Sequence, residues 1–305
     1  CHHFINAGKQ LGLKENKNFN GNEQEGIGLY QTTTHKGFRQ STAKAFLHPA
    51  LKRQNVTLHT YAHATQVLCA GKKAVGVEYQ RKGEALKAYA NKEVILCGGA
   101  VNSPQLLQLS GIGPAKLLQE LDIPLVQNSP AVGQNLQDHL GMDYLYRCNK
   151  PTLNDELHSW QGKLKAGMQY VLTRRGPLSL SINQAGGFIK TSADLKQPDI
   201  QLYFSPVSYT KAPAGTRPLM NPDPFSAFLI GLTNCHPTSR GFINIRSKDP
   251  FAPPQIKPNY LSTDEDVKTL LAGVKYLRKL AQTPAFKEVI IEELRPGKQC
   301  QSDEE

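Results

Sequence analysis

The sequence predicts a mixed fold: a parallel α/β portion before about Met142, then an antiparallel α+β portion packed by helices. Three observations predict it. Val94-Ile95-Leu96-Cys97, apolar on both faces, runs through Gly98-Gly99-Ala100 into a helical pattern. Beyond Met142, short strand-like segments recur at Ile200–Phe204, Phe228–Leu232 and Gly241–Ile245. Ser262-Thr263-Asp264-Glu265 is a capping box, and it opens a helix with Leu270, Val274, Leu277 and Leu280 on one side. At 305 residues the chain can bury the core of one large domain or two ordinary ones.

Taken in order, Phe4, Ala7 and Leu11 have helical spacing, so a helix closes before Gly12. A Gly- and Asn-rich loop, Asn18-Phe19-Asn20-Gly21, leads to Gly26-Ile27-Gly28-Leu29-Tyr30. Val56–His59 reads as a strand. Gln66–Cys69 turns through Ala70-Gly71-Lys72-Lys73 into Ala74–Tyr79, a hairpin pattern. Glu93–Cys97 reads as a buried parallel strand, and Cys69 and Cys97 as small buried hydrophobes. Ser103 is placed to cap the next helix and Pro104 to take its first position, where no N–H is needed. Gly111 and Gly113 end that helix. A further helix carries Trp160, Leu164, Met168 and Val171 and leads to Gly176-Pro177.

The formal net charge of +11 invites a nucleic-acid reading. The basic residues, such as Lys72-Lys73 and Arg174-Arg175, are scattered among acids instead of concentrated with aromatics, which favours a solvated basic surface. No apolar run approaches the roughly 20 residues that span a bilayer. Cys1-His2-His3-Phe4 lacks a signal-peptide pattern and an initiating Met, in keeping with a trimmed chain. The six cysteines form no C-x-x-C pair, and reduced thiols in the cytoplasm are the simplest expectation. His35, His48, His59, His63, His158 and His236 show no metal-site spacing.

Gly98-Gly99-Ala100 admits two readings: a tight turn that needs glycine, or a strand end where a ligand approaches the backbone. No G-x-G-x-x-G occurs; Gly26-x-Gly28 and Gly111-x-Gly113 lack the third glycine. The string from Gly99 to Gly113, with Asn102-Ser103-Pro104-Gln105-Leu106-Leu107 at its centre, resembles a hallmark of the glucose–methanol–choline oxidoreductases. Val132-Gly133-Gln134-Asn135-Leu136-Gln137-Asp138-His139 resembles the next motif. Phe19-Asn20-Gly21 with Gln24-Glu25-Gly26, Arg39-Gln40-Ser41-Thr42-Ala43, Ala74-Val75-Gly76-Val77-Glu78, Ser239-Arg240-Gly241, Pro258-Asn259-Tyr260, and Pro296-Gly297 before Asp303-Glu304 match in order. Asn18 departs, standing where the family usually has aspartate.

That resemblance implies an FAD-binding α/β domain, incomplete here, and an antiparallel-sheet substrate domain packed by helices. Residues 1–141 would belong to the first and 142–260 to the second, with 261–305 a helical continuation of the second. It implies hydride transfer from a primary alcohol to the flavin, with a histidine taking the hydroxyl proton. The family's glycine fingerprint matches a point before Cys1 and its catalytic histidine one beyond Glu305, so the chain by itself is expected to be inactive. Weak or absent FAD binding is expected too, unless missing segments or a second chain complete the site. His139 reads as structural.

By the same resemblance Ala64 matches the residue that meets the adenine, and Cys97, Gly98 and Gly99 pass near the ADP ribose; the plain reading of Ala64 is a strand residue. Gln184, in Asn183-Gln184-Ala185-Gly186-Gly187-Phe188, stands where choline-oxidising relatives carry an acid. An uncharged alcohol, aliphatic or polyether-like, is therefore expected, unless Gln184 only satisfies a local hydrogen bond. Tyr203 is a pocket candidate or a core residue. The expected location is cytoplasmic, with membrane-surface association through a quinone acceptor as a variant. The competing reading is a non-enzymatic binding domain, such as a basic nucleic-acid-binding protein.

Overall fold

A computed structural model describes residues 1–210 and 221–304. The chain forms two compact units, each assembled from separated segments. One contains Cys1–Ala50, His139–Pro237 and Asp264–Glu305; the other contains Leu51–Asp138 and Thr238–Thr263. Gly26–Leu29 pairs with Ala185–Ile189, and Gly241–Asn244 with Gln134–Leu136, so segments far apart in the chain share a unit.

The first unit is built on a six-stranded antiparallel sheet in the order Gly26–Leu29, Ala185–Ile189, Ile200–Ser205, Ala227–Asn234, Gly141–Cys148, Ile290–Arg295. Every residue of Ala227–Asn234 is buried, as a central strand requires. The Asp264–Ala281 helix lays the buried Leu270, Leu277 and Leu280 toward the core and leaves Asp264, Glu265, Lys268, Lys275 and Lys279 exposed, while Asp266 is buried. Gly273 lets it sit close: a Cβ there would lie 3.1 Å from Leu232 and 3.2 Å from Ile200. The N-terminal helix, His2–Gln10, adds Phe4 to an aromatic stack, with ring centroids 5.2 Å apart for Phe4–Phe204, 5.4 Å for Phe204–Phe228 and 5.3 Å for Phe228–Phe286. Burial of each such ring stabilises the unit by about 1.5–3 kcal/mol.

The second unit holds the predicted hairpin, extended to Ala62–Ala70 and Lys73–Arg81, plus a third strand, Glu84–Tyr89. A small antiparallel sheet pairs Gly241–Asn244 with Gln134–Leu136 and Gln255–Lys257. The Gly99–Leu109 helix lies between these features in sequence and is tied to the hairpin by Ser110, whose hydroxyl accepts from the Val67 N–H at 2.8 Å.

Several expectations are corrected. Val56–His59 is no strand; it is an almost wholly exposed loop that pairs with no strand among the described residues. Glu93–Cys97 forms no strand either: among the described residues no strand pairs with it, Ile95 is 72% exposed, and Cys97 is exposed instead of buried. Cys69 is only half-buried. Among the described residues the one parallel strand pair is Ile112–Gly113 with Gln127–Asn128. The helix expected to begin at Ser103-Pro104 starts at Gly99, so Pro104 lies in its middle, where the missing N–H removes one helical hydrogen bond. Gly111, with φ at +79°, leaves that helix as expected.

Candidate functional site

In the second unit, a cleft of about 440 Å³ opens between the hairpin and the start of the Gly99–Leu109 helix. Ala64, Cys97 and Gly98 line it together. Its walls are apolar (Val77, Val94, Leu96, Leu106, Leu109), and Asn102, Ser103 and Gln105 bring polar groups. Ala64 lies on the Ala62–Ala70 strand with its side chain exposed to this space. The far rim is held by His63, whose Nε2 lies 3.1 Å from the Pro250 carbonyl and whose ring stacks on Phe251 at 4.5 Å. Gln105 adds a bond from Nε2 to the Ala252 carbonyl at 3.1 Å.

The two glycines differ in their structural parts. Gly99 has φ at +76°, a conformation that itself calls for glycine, and is not among the lining residues. Gly98 does line the cleft, and a Cβ on it would crowd the Ser103 N at 3.1 Å and Asn102 at 3.2 Å. No side chain caps the helix N-terminus, so its first-turn N–H groups stay available to an acceptor.

The helix that supplies Leu106 and Leu109 to the cleft is anchored by Gln108, which sequence reading passed over. Its side chain is fully buried, donates through Nε2 to the carbonyls of Val132 at 3.1 Å and Ile243 at 3.2 Å, and accepts from the Ile245 N–H at 2.9 Å. Asp138, beside the exposed His139, accepts a hydrogen bond from the Tyr260 hydroxyl.

In the first unit, a cavity of about 770 Å³ is bordered by Tyr30, Arg39, Tyr170, Asn183, Gln201 and Tyr203, among others. A hydrogen-bond chain runs along it. Tyr30 donates to the Leu202 carbonyl at 2.6 Å and accepts from Gln201 Nε2 at 3.0 Å; Tyr203 donates to Gln201 Oε1 at 2.9 Å and lies 3.2 Å from Thr233 Oγ1. Burial pushes the Tyr30 hydroxyl well above the ordinary phenol range, against the lowering effect of Gln201. Tyr203 is thus half-buried at a cavity wall, not packed in the core. Gln184 does not border the cavity. Its backbone bonds Tyr30 and Phe204, and its Oε1 accepts from the Cys1 thiol at 3.6 Å. Gln201 and Tyr30 were missed; the two-residue alternation that puts Gln201 and Tyr203 on one strand face could have found the first.

Among the described residues, no group of three or more His, Cys, Asp or Glu is arranged to hold a metal ion.

Two family models described as GMC oxidoreductase match residues 1–141 and 237–305. The mitochondrial choline dehydrogenase of Mus musculus is 39% identical over 305 residues, covering 99% of this chain and 50% of that protein. An alcohol dehydrogenase (acceptor) of Pseudomonas putida is 39% identical over 305 residues, covering 99% of this chain and 54% of that protein. The chain spans about half the length of the curated relatives it matches. Pyridoxine 4-oxidase from Mesorbium loti superposes with a TM-score of 0.82 at 25% identity, over 99% of this chain and 54% of that one. An Aspergillus oryzae formate oxidase superposes at 0.86 with 23% identity, over 99% and 56%, a likeness of fold alone.

Proposed function

Because the chain belongs to the GMC oxidoreductase family, we propose that it carries an adenosine-side cleft and an alcohol-side cavity of an FAD-dependent oxidoreductase acting on CH–OH groups. FAD is the cofactor of the complete enzyme, and when bound it supplies the acceptor for the hydride. One observation carries the cofactor half of this reading: Ala64 and Cys97-Gly98, distant in sequence, border one cleft.

The residues present fit the adenosine part of FAD. Apolar walls suit a flat aromatic base, Gly98 leaves backbone accessible, and Asn102, Ser103 and the uncapped helix start offer polar groups to a ribose. Gly99 serves by turning the chain into that helix. No G-x-G-x-x-G is among the residues to cradle the diphosphate. In this reading a polypeptide of these 305 residues alone holds FAD weakly and turns over no alcohol, and other polypeptide, in the same or a second chain, supplies the diphosphate cradle and the proton-accepting histidine.

The substrate is an uncharged primary alcohol, aliphatic or polyether-like. Among the described residues no carboxylate borders the first unit's cavity, and Arg39 is the one charged lining residue, an arrangement that repels a quaternary ammonium. Tyr203 and the Gln201 amide offer hydrogen bonds to a hydroxyl. Gln184 acts indirectly, by leaving this region without the acid's charge and by holding Tyr30 through its carbonyl at 3.0 Å.

Site-resolved thiol labelling tests the cofactor half. ADP or AMP should slow maleimide labelling of the exposed Cys97, while FAD added and then removed by desalting should leave no visible flavin band. Labelling of Cys97 that is indifferent to adenine nucleotides overturns the cleft assignment. Choline turned over far faster than simple alcohols by the full-length enzyme overturns the substrate class.

A further inference from the structure

The Trp160–Thr173 helix is arranged inside out. Trp160, Leu164, Met168, Val171 and Leu172 share one face at spacings of three and four, the pattern that normally turns inward. Here they are 71, 53, 52, 62 and 82% exposed. The opposite face, with Ala166 buried, packs on the protein. The helix is firmly placed: Ser159 accepts from the Gly162 N–H at 3.0 Å, and Tyr170 donates to the Gly37 carbonyl at 2.9 Å. The stripe is therefore a fixed apolar surface, and such surfaces mark interaction sites.

The charge around it identifies the partner. Lys163 and Lys165 flank the stripe on its two sides, and Arg174 and Arg175 follow its end. Between Glu156 and Asp194 the sequence has no acid at all. Among the described residues no acid pairs with any of these four cations; the Arg174 guanidinium lies over the Phe38 and Tyr170 rings, 4.6 and 5.2 Å from their centroids, so Lys163, Lys165 and Arg175 carry the charge argument. Just beyond the helix, the Pro177–Ser179 turn adds the exposed Leu178 and Leu180. A second copy docked on this face across a two-fold axis would oppose these cations to themselves.

We propose that this face docks on an anionic phospholipid surface, the helix lying in the interface with its stripe among the acyl chains and its cations at the headgroups. Trp160 at the helix start suits the boundary between apolar and wet layers. The helix is about 21 Å long at 1.5 Å per residue, and none in the described residues is long and apolar enough to cross a membrane, so it lies on the bilayer. This inference goes beyond the oxidoreductase reading and does not depend on it.

Trp160 is the one tryptophan and sits on the stripe, so its fluorescence reports the event at the proposed site. The chain should float with vesicles of phosphatidylcholine and phosphatidylglycerol in equal parts, and much less with phosphatidylcholine alone. Trp160 emission should shift to the blue and be quenched by bromine-labelled acyl chains, and added salt should weaken binding. Each basic residue near such a surface contributes roughly fivefold to affinity, so K163E/K165E should lose more than tenfold. L164Q/M168Q should abolish the blue shift; both side chains are exposed, so an unchanged thermal melt confirms folding. No flotation on the anionic vesicles overturns the proposal. So does flotation with unchanged Trp160 emission, or a Trp160 already shielded in a self-associated form that sedimentation velocity detects.

Discussion

Replacing Gln108 by Met keeps the length and approximate volume of the side chain and removes every hydrogen bond it makes. Its amide ties two backbone segments to its own helix: Val132 through its carbonyl and Nε2, and Ile243–Ile245 through the Ile243 carbonyl to Nε2 and the Ile245 N–H to Oε1 at 2.9 Å. Gln108 is fully buried and Ile245 is 4% exposed, so water cannot readily replace the lost partner. Leaving the Ile245 N–H unpaired costs about 1–3 kcal/mol. The two carbonyls lose less, because each keeps a second lone pair for other donors, and the extra apolar surface of Met offsets about 1 kcal/mol. The net expectation is a destabilisation of about 2–3 kcal/mol, which lowers the melting temperature by on the order of 10 °C in a unit this small. Urea unfolding followed by circular dichroism measures it directly. A Q108M protein within about 0.5 kcal/mol of the unmodified chain would refute the claim that this amide organises the unit.

Three other outcomes follow from the same structure. Asp155 closes a capping box with Thr152 at the start of the Leu153–Leu157 helix and accepts from Ser226 at 2.8 Å. Burial raises its pKa, but these hydrogen bonds outweigh that and hold the carboxyl below its usual range. Its contribution is therefore full above about pH 4 and disappears as pH falls through the lowered folded value; D155N should lose about 1 kcal/mol at neutral pH and match the parent in strong acid. Burial, with Asp199 nearby, pushes the Cys235 thiol up to about 11, so maleimide at neutral pH should label Cys97 and spare Cys235 until the medium is strongly alkaline. Leu277 is completely buried under the Asp264–Ala281 helix, and L277A should cost about 2–5 kcal/mol by urea titration.

Several local sequence patterns carried over into the structure. The Gly71-Lys72 hairpin turn, the helix opened by the Ser262–Glu265 capping pattern and the glycine exit at Gly111 depend on neighbours in the chain, and all three are present. Glu93–Cys97 fails for the opposite reason. Apolar residues on both faces describe a strand that has neighbours, and no described strand pairs with this one, so Ile95 stands exposed. Gln108 was illegible because an amide in mid-helix usually faces water; only the return of residues 132 and 243–245 to the same place makes it a buried crosslink. The cleft residues Ala64, Cys97 and Gly98 were legible through ordered family motifs alone, since nothing in a strand alanine announces a ligand.

The two long amphipathic helices of the first unit carry the same helical period with opposite outcomes, and the difference is written on their other faces. Outside its apolar side, Asp264–Ala281 carries Asp264, Glu265, Lys268, Lys275 and Lys279, charges of both signs that only water solvates well, so the leucines turn inward. Opposite its stripe, Trp160–Thr173 carries the small residues Gly162 and Ala166. Those small residues permit close approach: Ala166 is 1% exposed, and a Cβ at Gly162 would collide with the Glu156 carbonyl. Period alone finds an apolar face without saying what it faces. Small residues opposite it let the protein take the small side, leaving the large apolar side, bordered by lysines that no acid pairs among the described residues, for something outside the fold.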